Sequence, residues 1–443
     1  MKKSLLLLSV IPLLIVACDS SSSGKKDPHS EQYYKVNFDA ALINDKEGKP
    51  VKISYDLPLS YLSFDKPGTT YNKQLAITSF VGNTICSNKD VLTSYYGFFG
   101  FDDITFSTDY DIAEDSNTLK YSFAHHENVI AVFVSGINYK KPWENNFTLG
   151  ETGNAQGFQS GAIKLLDGLD TYLNKYKDTQ DLKLWMSGYS RGAAVANIAT
   201  LSLLENKVVD EDHLYSYLFE TPRGIDKSNV KECKSIFNII NSADLVTYVA
   251  PEAYDLYRCG QEIDLYSKNA DSILKDFNKD LVLSKFTVSS SNYKNESELI
   301  NYLINGLTAP KTGTVEYVDI STRSNYFHNI QNNVLYLISL FFSIKSSTST
   351  DIMTEFSKLS IIEKASLLAE DGAYNFLKPI LYKNEETYDD NVLKESLAKF
   401  VTLVSSTVPV LMILTNEAAI SSVLRCVQFH APECILPLLI KSN

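Results

Sequence analysis

Histidine and cysteine are scarce in this chain, at six each among 443 residues. There is no C-x-x-C pair and no histidine cluster at ligand spacing, so neither a metal site nor a bound cofactor is expected. Five cysteines follow Cys18 (Cys86, Cys233, Cys259, Cys426 and Cys434), an odd number that reads as mostly buried thiols and fixes no disulfide connectivity. Long runs of one charge are also missing. The net charge is −12, and loss of Lys2 and Lys3 with a leader takes it to −14. An acidic chain without basic blocks excludes nucleic acid as a partner and excludes broad electrostatic attraction to an anionic membrane. No internal repeat is present, and no apolar run has the length and flanks of a membrane span. Phe400 to Leu414 comes nearest, but it is short, contains Thr402, Ser405, Ser406, Thr407 and Pro409, and lacks flanking basic residues. It reads as a buried helix.

The N-terminus carries a location signal. Met1-Lys2-Lys3 is a basic start, Ser4 to Val16 is apolar but too short to span a bilayer, and Ala17-Cys18 follows. The I-V-A-C ending resembles the lipobox of bacterial lipoproteins, in which cleavage precedes a cysteine whose thiol becomes lipidated. That resemblance implies a leader over 1–17, a lipid anchor on Cys18 and a place on the outer side of a bacterial cell membrane. Residues 18–32 are polar and Ser-rich, as a flexible tether is.

Beyond the tether the chain exceeds one domain's usual length. Short alternating runs from Tyr33 to Tyr61, broken at Gly48-Lys49-Pro50, predict a strand or hairpin. Helices are expected over Lys73 to Gly82 and Asp90 to Phe98. Val129 to Ser135 (VIAVFVS) is continuous and β-branched, as a strand buried on both faces should be. Phe158 to Tyr176 has apolar residues at helical spacing along one face. Leu182 to Met186, Leu214 to Phe219 and Ser235 to Asn241 read as further strands. Strands alternating with helices predict a mainly parallel sheet covered on both faces, with ligands at the strands' carboxyl ends. From Ile263 to Leu424 the strand pattern fades into apolar helical stretches at 299–307, 334–344, 361–377 and 397–414. The expected organisation is a core over 33–262, a mainly helical insertion or lid over 263–425 and a return to the core over 426–443.

The stretch LKLWMSGYSRGAAVANIATLSLL, 182–204, carries the chemistry. It reads as strand, tight turn and a helix opening on small residues. Glycines two positions either side of Ser190 let strand and helix pass closely, and they leave the serine on a strained, exposed turn. The amide of Arg191 would then face a developing oxyanion. An activated serine needs a base, and the base needs an orienting carboxylate. Asp244 lies just past the SIFNIIN strand, with Asp226 and Asp255 as competitors. In the chain order nucleophile, acid, histidine, only His328 and His430 qualify as the base.

These segments together resemble the class 3 lipase family of the α/β-hydrolase superfamily, over about residues 90–262 and again near 426–440. VIAVFVSGINYKKPWENNF resembles the family's oxyanion strand, GYSRGAA its nucleophile elbow and YLFETPRG its Thr-Phe-Gly-x-Pro-Arg strand end. IFNIINSADLVTYVAP resembles the segment holding the acid, and QFHAPECILPLL a His-x-Pro-Glu segment that closes some bacterial members. The resemblance implies an α/β-hydrolase fold with Ser190 as nucleophile, Asp244 as acid, His430 as base and the amides of Arg191 and Ile137 as the oxyanion hole. Ser135-Gly136-Ile137 departs from the usual Arg-Gly-Ser/Thr, which removes any hydroxyl donor there. The function expected is a membrane-anchored serine hydrolase, acting as a monomer on carboxylic esters with lipids as the substrate class. An acyltransferase or thioesterase on the same residues is the second reading, and a catalytically inactive binding lipoprotein is the third.

Overall fold

The computed structural model describes residues 32–44, 49–112, 118–136, 150, 152–248, 256–278, 346–369, 371–384, 389–405, 425 and 428–442. The alternating N-terminal runs form an antiparallel hairpin of β1 (Tyr33–Asn44) and β2 (Pro50–Pro58), in register from Tyr33 opposite Pro58 to Asp39 opposite Lys52. Its inward residues Val36, Phe38, Ile53 and Leu57 are buried, as a period-two pattern requires. Next come α1 (Lys73–Ile85) and α2 (Lys89–Phe98). Each starts at an asparagine, Asn72 or Asn88, whose side chain accepts two first-turn N–H groups.

The main sheet has seven strands. In chain order these are β3 (Asp102–Phe106), β4 (Tyr121–His126), β5 (Val129–Val134), β6 (Lys183–Tyr189), β7 (Leu214–Phe219), β9 (Ile236–Ile240) and β11 (Gln261–Asp264). A two-residue pair, β8 (Ile225–Asp226) and β10 (Leu256–Tyr257), lies apart from it. The spatial order is β11-β9-β7-β6-β5-β4-β3, parallel from β11 to β5 and antiparallel from β5 to β3. The sheet is therefore mainly parallel, as expected, with an antiparallel edge that the apolar pattern does not announce.

Alternate residues of the central strands feed two separate cores. Ala131, Phe133, Trp185, Tyr217, Phe219 and Phe237 point to one face, where they pack with the hairpin, α1, α2 and the C-terminal helix. Ile130, Val132, Val134, Leu184, Met186 and Leu218 point to the other, against α3 (Gln156–Leu173) and α4 (Arg191–Glu205). Burial on both faces is why these strands read as mostly apolar runs.

Past the sheet, α5 (Ala270–Phe277) packs Leu274 into the first core. Four helices follow: α6 (Ser346–Lys358), α7 (Ile361–Ser366), α8 (Gly372–Leu381) and α9 (Asp390–Ser405). Ile352, Tyr374, Leu381, Leu393 and Leu397 share a small core of their own. The helix expected over 361–377 is split into two, Ile361–Ser366 and Gly372–Leu381, which meet so closely that a Cβ at Gly372 would lie 2.0 Å from Ser366 O. The stretches 299–307, 334–344 and 406–414 lie outside the described residues, as do Cys18 and Cys426. Among the described residues no helix is long and apolar enough to cross a membrane. The C-terminal helix α10 (Pro432–Lys441) buries Ile435, Leu436, Leu438 and Leu439 in the first core. Cys86, Cys233, Cys259 and Cys434 are buried free thiols, with the sulfurs of Cys233 and Cys259 3.2 Å apart.

Candidate active site

β6 runs to Tyr189 and α4 begins at Arg191, so Ser190 alone makes the turn, at φ 55° and ψ −126°. A positive φ at a non-glycine residue costs about 1–3 kcal/mol and is kept only where the surroundings enforce it. Here they do. The N–H of Ser190 donates to Phe219 O at 2.9 Å, and its carbonyl accepts from Ala193 and Ala194 at the head of α4. A Cβ at Gly192 would fall 2.4 Å from Val134 O, so only glycine lets α4 start against the end of β5. The Ser190 side chain does not cap the helix; it points to a histidine.

That histidine is His430, in the turn before α10 and 240 residues away in sequence, with Nε2 2.8 Å from Ser190 Oγ. Its Nδ1 lies 2.5 Å from Asp244 Oδ2. Asp244 follows β9 in a turn closed by its own N–H to Asn241 O, and its Oδ1 accepts the N–H of Val246 at 2.9 Å. All three side chains are fully buried. A carboxylate at Nδ1 fixes the proton there and leaves the Nε2 lone pair for the serine hydroxyl.

Tyr189 supports the ring in two ways. Its hydroxyl donates to His430 O, and the two rings stack with centroids 5.2 Å apart. Arg258, whose side chain is almost wholly buried, donates to Thr221 O at 2.9 Å and Thr247 O at 2.7 Å and pairs with Glu262. It thus ties the loop after β7 to the turn that carries Asp244. Arg258→Ala strands two buried carbonyls and is expected to cost roughly 3 kcal/mol, at about 1–3 kcal/mol per unsatisfied group. Urea unfolding checks this, and an unchanged midpoint would contradict it.

Asp226, a competitor for the acid, caps a turn by accepting from Ser228 N and Oγ. Asp255 and His328 lie outside the described residues, and so does Ile137 of the expected oxyanion hole. Arg191 is in place as the first residue of α4, and its guanidinium donates to Thr118 O at 2.8 Å.

One group at the site is absent from the sequence expectations. Glu220, directly after β7, is fully buried at φ 45° and stands beside Asp244. Both its carboxyl oxygens face one donor, the N–H of Asn241, at 3.1 and 3.0 Å. Burial first, and the neighbouring Asp244 charge second, push the Glu220 carboxyl well above the usual range. In YLFETPRG it occupies the glycine position of the Thr-Phe-Gly-x-Pro-Arg pattern; the only hint was an acid immediately after an apolar strand. Glu220, Asp244 and His430 bring one ligand atom each within 4.8 Å, a spacing a cation would accept. Both ring nitrogens of His430 already face hydrogen-bond partners, so the arrangement is a proton relay in form.

A mainly parallel sheet with a strained serine turn at one strand end, an acid just past a later strand and a histidine from the turn before the C-terminal helix is an α/β-hydrolase fold. Residues 121–254, beginning at β4 and including Asp244, match the family Lipase (class 3). No curated protein matches the chain. Solved structures similar to it include a triacylglycerol lipase described as having a serine protease triad, at 16% identity and a TM-score of 0.37, covering 44% of this chain and 80% of that one. The triacylglyceride lipase of Rhizomucor miehei aligns at 17% identity and TM-score 0.34 over 44% of this chain and 80% of its own. Lipase II from Rhizopus niveus aligns at 13% and 0.33, over 42% and 78%. The matched segment builds the centre of the sheet and carries Ser190, Glu220 and Asp244, while His430 comes from outside it.

Proposed function

We propose that the protein is a serine hydrolase that cleaves carboxylic esters of lipids, anchored through Cys18 to the outer side of a bacterial membrane. The observation that carries the chemistry is the unbroken series Ser190 Oγ, His430 Nε2, His430 Nδ1, Asp244 Oδ2, with links of 2.8 and 2.5 Å. Ser190 attacks the ester carbonyl as His430 takes its proton. His430 then returns that proton to the leaving alcohol, and water hydrolyses the acyl-enzyme by the same route. Asp244 holds the ring's tautomer and balances the imidazolium. Amides of Arg191 and Ile137 would receive the oxyanion. The match to the Lipase (class 3) family over residues 121–254 supports lipid esters as the substrate class. Ser190 is fully buried, so an ester reaches it only after part of its cover moves aside.

A fluorophosphonate probe is expected to label the full-length protein in detergent, and Ser190→Ala is expected to remove the label while leaving the melting temperature close to wild type. Equal labelling of the folded variant would place the nucleophile elsewhere.

A further inference from the structure

We propose that Glu220 is a positioning residue of this relay, a neutral carboxylic acid that donates a hydrogen bond to Asp244 and keeps the buried acid pair at a single negative charge. The inference rests on the reading of Ser190, His430 and Asp244 as a hydrolytic site.

Two carboxyl groups with no solvent exposure stand together opposite one imidazole. Like charges at that range, unscreened by water, cannot both persist, so the pair shares one proton. Hydrogen bonding decides where it sits. Asp244 has the Val246 N–H on one oxygen and His430 Nδ1 on the other, which suits an anion. Glu220 has a single amide shared between its two oxygens, too little for a buried carboxylate. Among the described residues the charges acting on Glu220 are acids, and the buried cation Arg425, which acts on the Cys434 thiol, is paired with Asp271 at 2.9 Å. Asp264, at the end of β11, is a third acid, and α10 presents the Cys434 thiol and buried Glu433. Arg258 is committed to Thr221 O, Thr247 O and Glu262. The proton therefore belongs to Glu220.

The placement has a consequence for His430. Two carboxylates beside the ring would favour imidazolium, which cannot accept the serine proton. One carboxylate, its charge drawn partly toward a Glu220 O–H, pulls less strongly on a ring proton. Glu220 so extends the working range of the site toward acid. Glycine would suit φ 45° better than glutamate, which makes Glu220→Gly a variant that should fold.

The test compares wild type, Glu220→Gln and Glu220→Gly as full-length protein in detergent, with a short-chain p-nitrophenyl ester across pH. Glutamine keeps a neutral donor, so its acid limb in kcat/KM should stay within about 0.3 pH unit of wild type. Glycine removes the donor, so its acid limb should rise by about one unit and kcat should fall about tenfold. An acid limb lowered by a unit or more in the glutamine variant would mean that Glu220 carried a charge. A glycine variant identical to wild type would mean that Glu220 does nothing to the relay. Either result overturns the proposal.

Two further readings need no turnover, which separates failure of this inference from failure of the hydrolase assignment. The infrared difference between wild type and Glu220→Gln at neutral pH should contain a protonated-carboxyl band, and its absence overturns the proposal. Stability reports the same proton. The native state keeps it where the unfolded chain, above about pH 4, has lost it. Native protein then binds more protons than unfolded, so wild type loses stability relative to Glu220→Gln as pH rises. The melting-temperature gap should widen from about pH 4 to 8 and close below about pH 4. A gap independent of pH would refute proton retention.

Discussion

Asp244→Asn is expected to lower kcat about 10⁴-fold while the protein stays folded. The carboxylate acts through one atom pair, Oδ2 with His430 Nδ1, in a site with no solvent exposure. An asparagine turned to satisfy the Val246 N–H with its oxygen presents its NH₂ to the ring. Nδ1 must then be the acceptor, and the proton moves to Nε2, which faces Ser190 Oγ. A ring protonated there has no lone pair for the serine hydroxyl. The imidazolium formed during attack also loses its counter-charge. Folding should survive, because asparagine is nearly isosteric and the change removes a buried charge next to Glu220. Steady-state hydrolysis of a p-nitrophenyl ester, with circular dichroism on the same sample, checks both halves. A rate within tenfold of wild type would show that another group orients His430.

Much of this was readable from the sequence for one physical reason. Strands β5, β6, β7 and β9 are buried on both faces and therefore mostly apolar, while α3 shows one apolar stripe to its core. The glycine spacing singled out Ser190, and chain order left His328 and His430 as candidate bases. The edges of the sheet were not readable. β3 is short and half exposed, β11 is four residues including two acids, and β4 ends in two histidines before a turn at Glu127 with φ 52°. Glu220 was hidden for a different reason. It meets the Asp244 turn because β7 and β9 are parallel neighbours with Phe219 opposite Ile239, so their carboxyl ends finish side by side. The pairing of two strands makes that contact, and no local pattern in either strand contains it.

The same crowding at the strand ends sets the second large effect, at Gly136. β5 and β6 are parallel with Val134 opposite Gly188, which carries residue 136 past the serine turn. A Cβ at Gly136 would lie 1.9 Å from Tyr189 O and 3.1 Å from Ser190 Cβ. The first obstacle is backbone, which cannot rotate away as a side chain tip would. Either the end of β5 or the turn carrying Ser190 must shift. The turn is fixed by Phe219 O and the head of α4, and Tyr189 also holds the backbone of His430 through its hydroxyl. Displacement at this point therefore reaches Ser190 and His430 together. A misplacement of about 1 Å between reacting groups costs on the order of 10²-fold. Gly136→Ala is accordingly expected to lower kcat about 10²-fold or more and to destabilise the protein by roughly 3 kcal/mol, the upper end for overpacking a buried contact. Hydrolysis rates and urea midpoints measured on one preparation test the two effects. Retention of wild-type rate and stability would mean that the end of β5 yields freely, and that the close approach of Gly136 to the turn does not hold Ser190 in place.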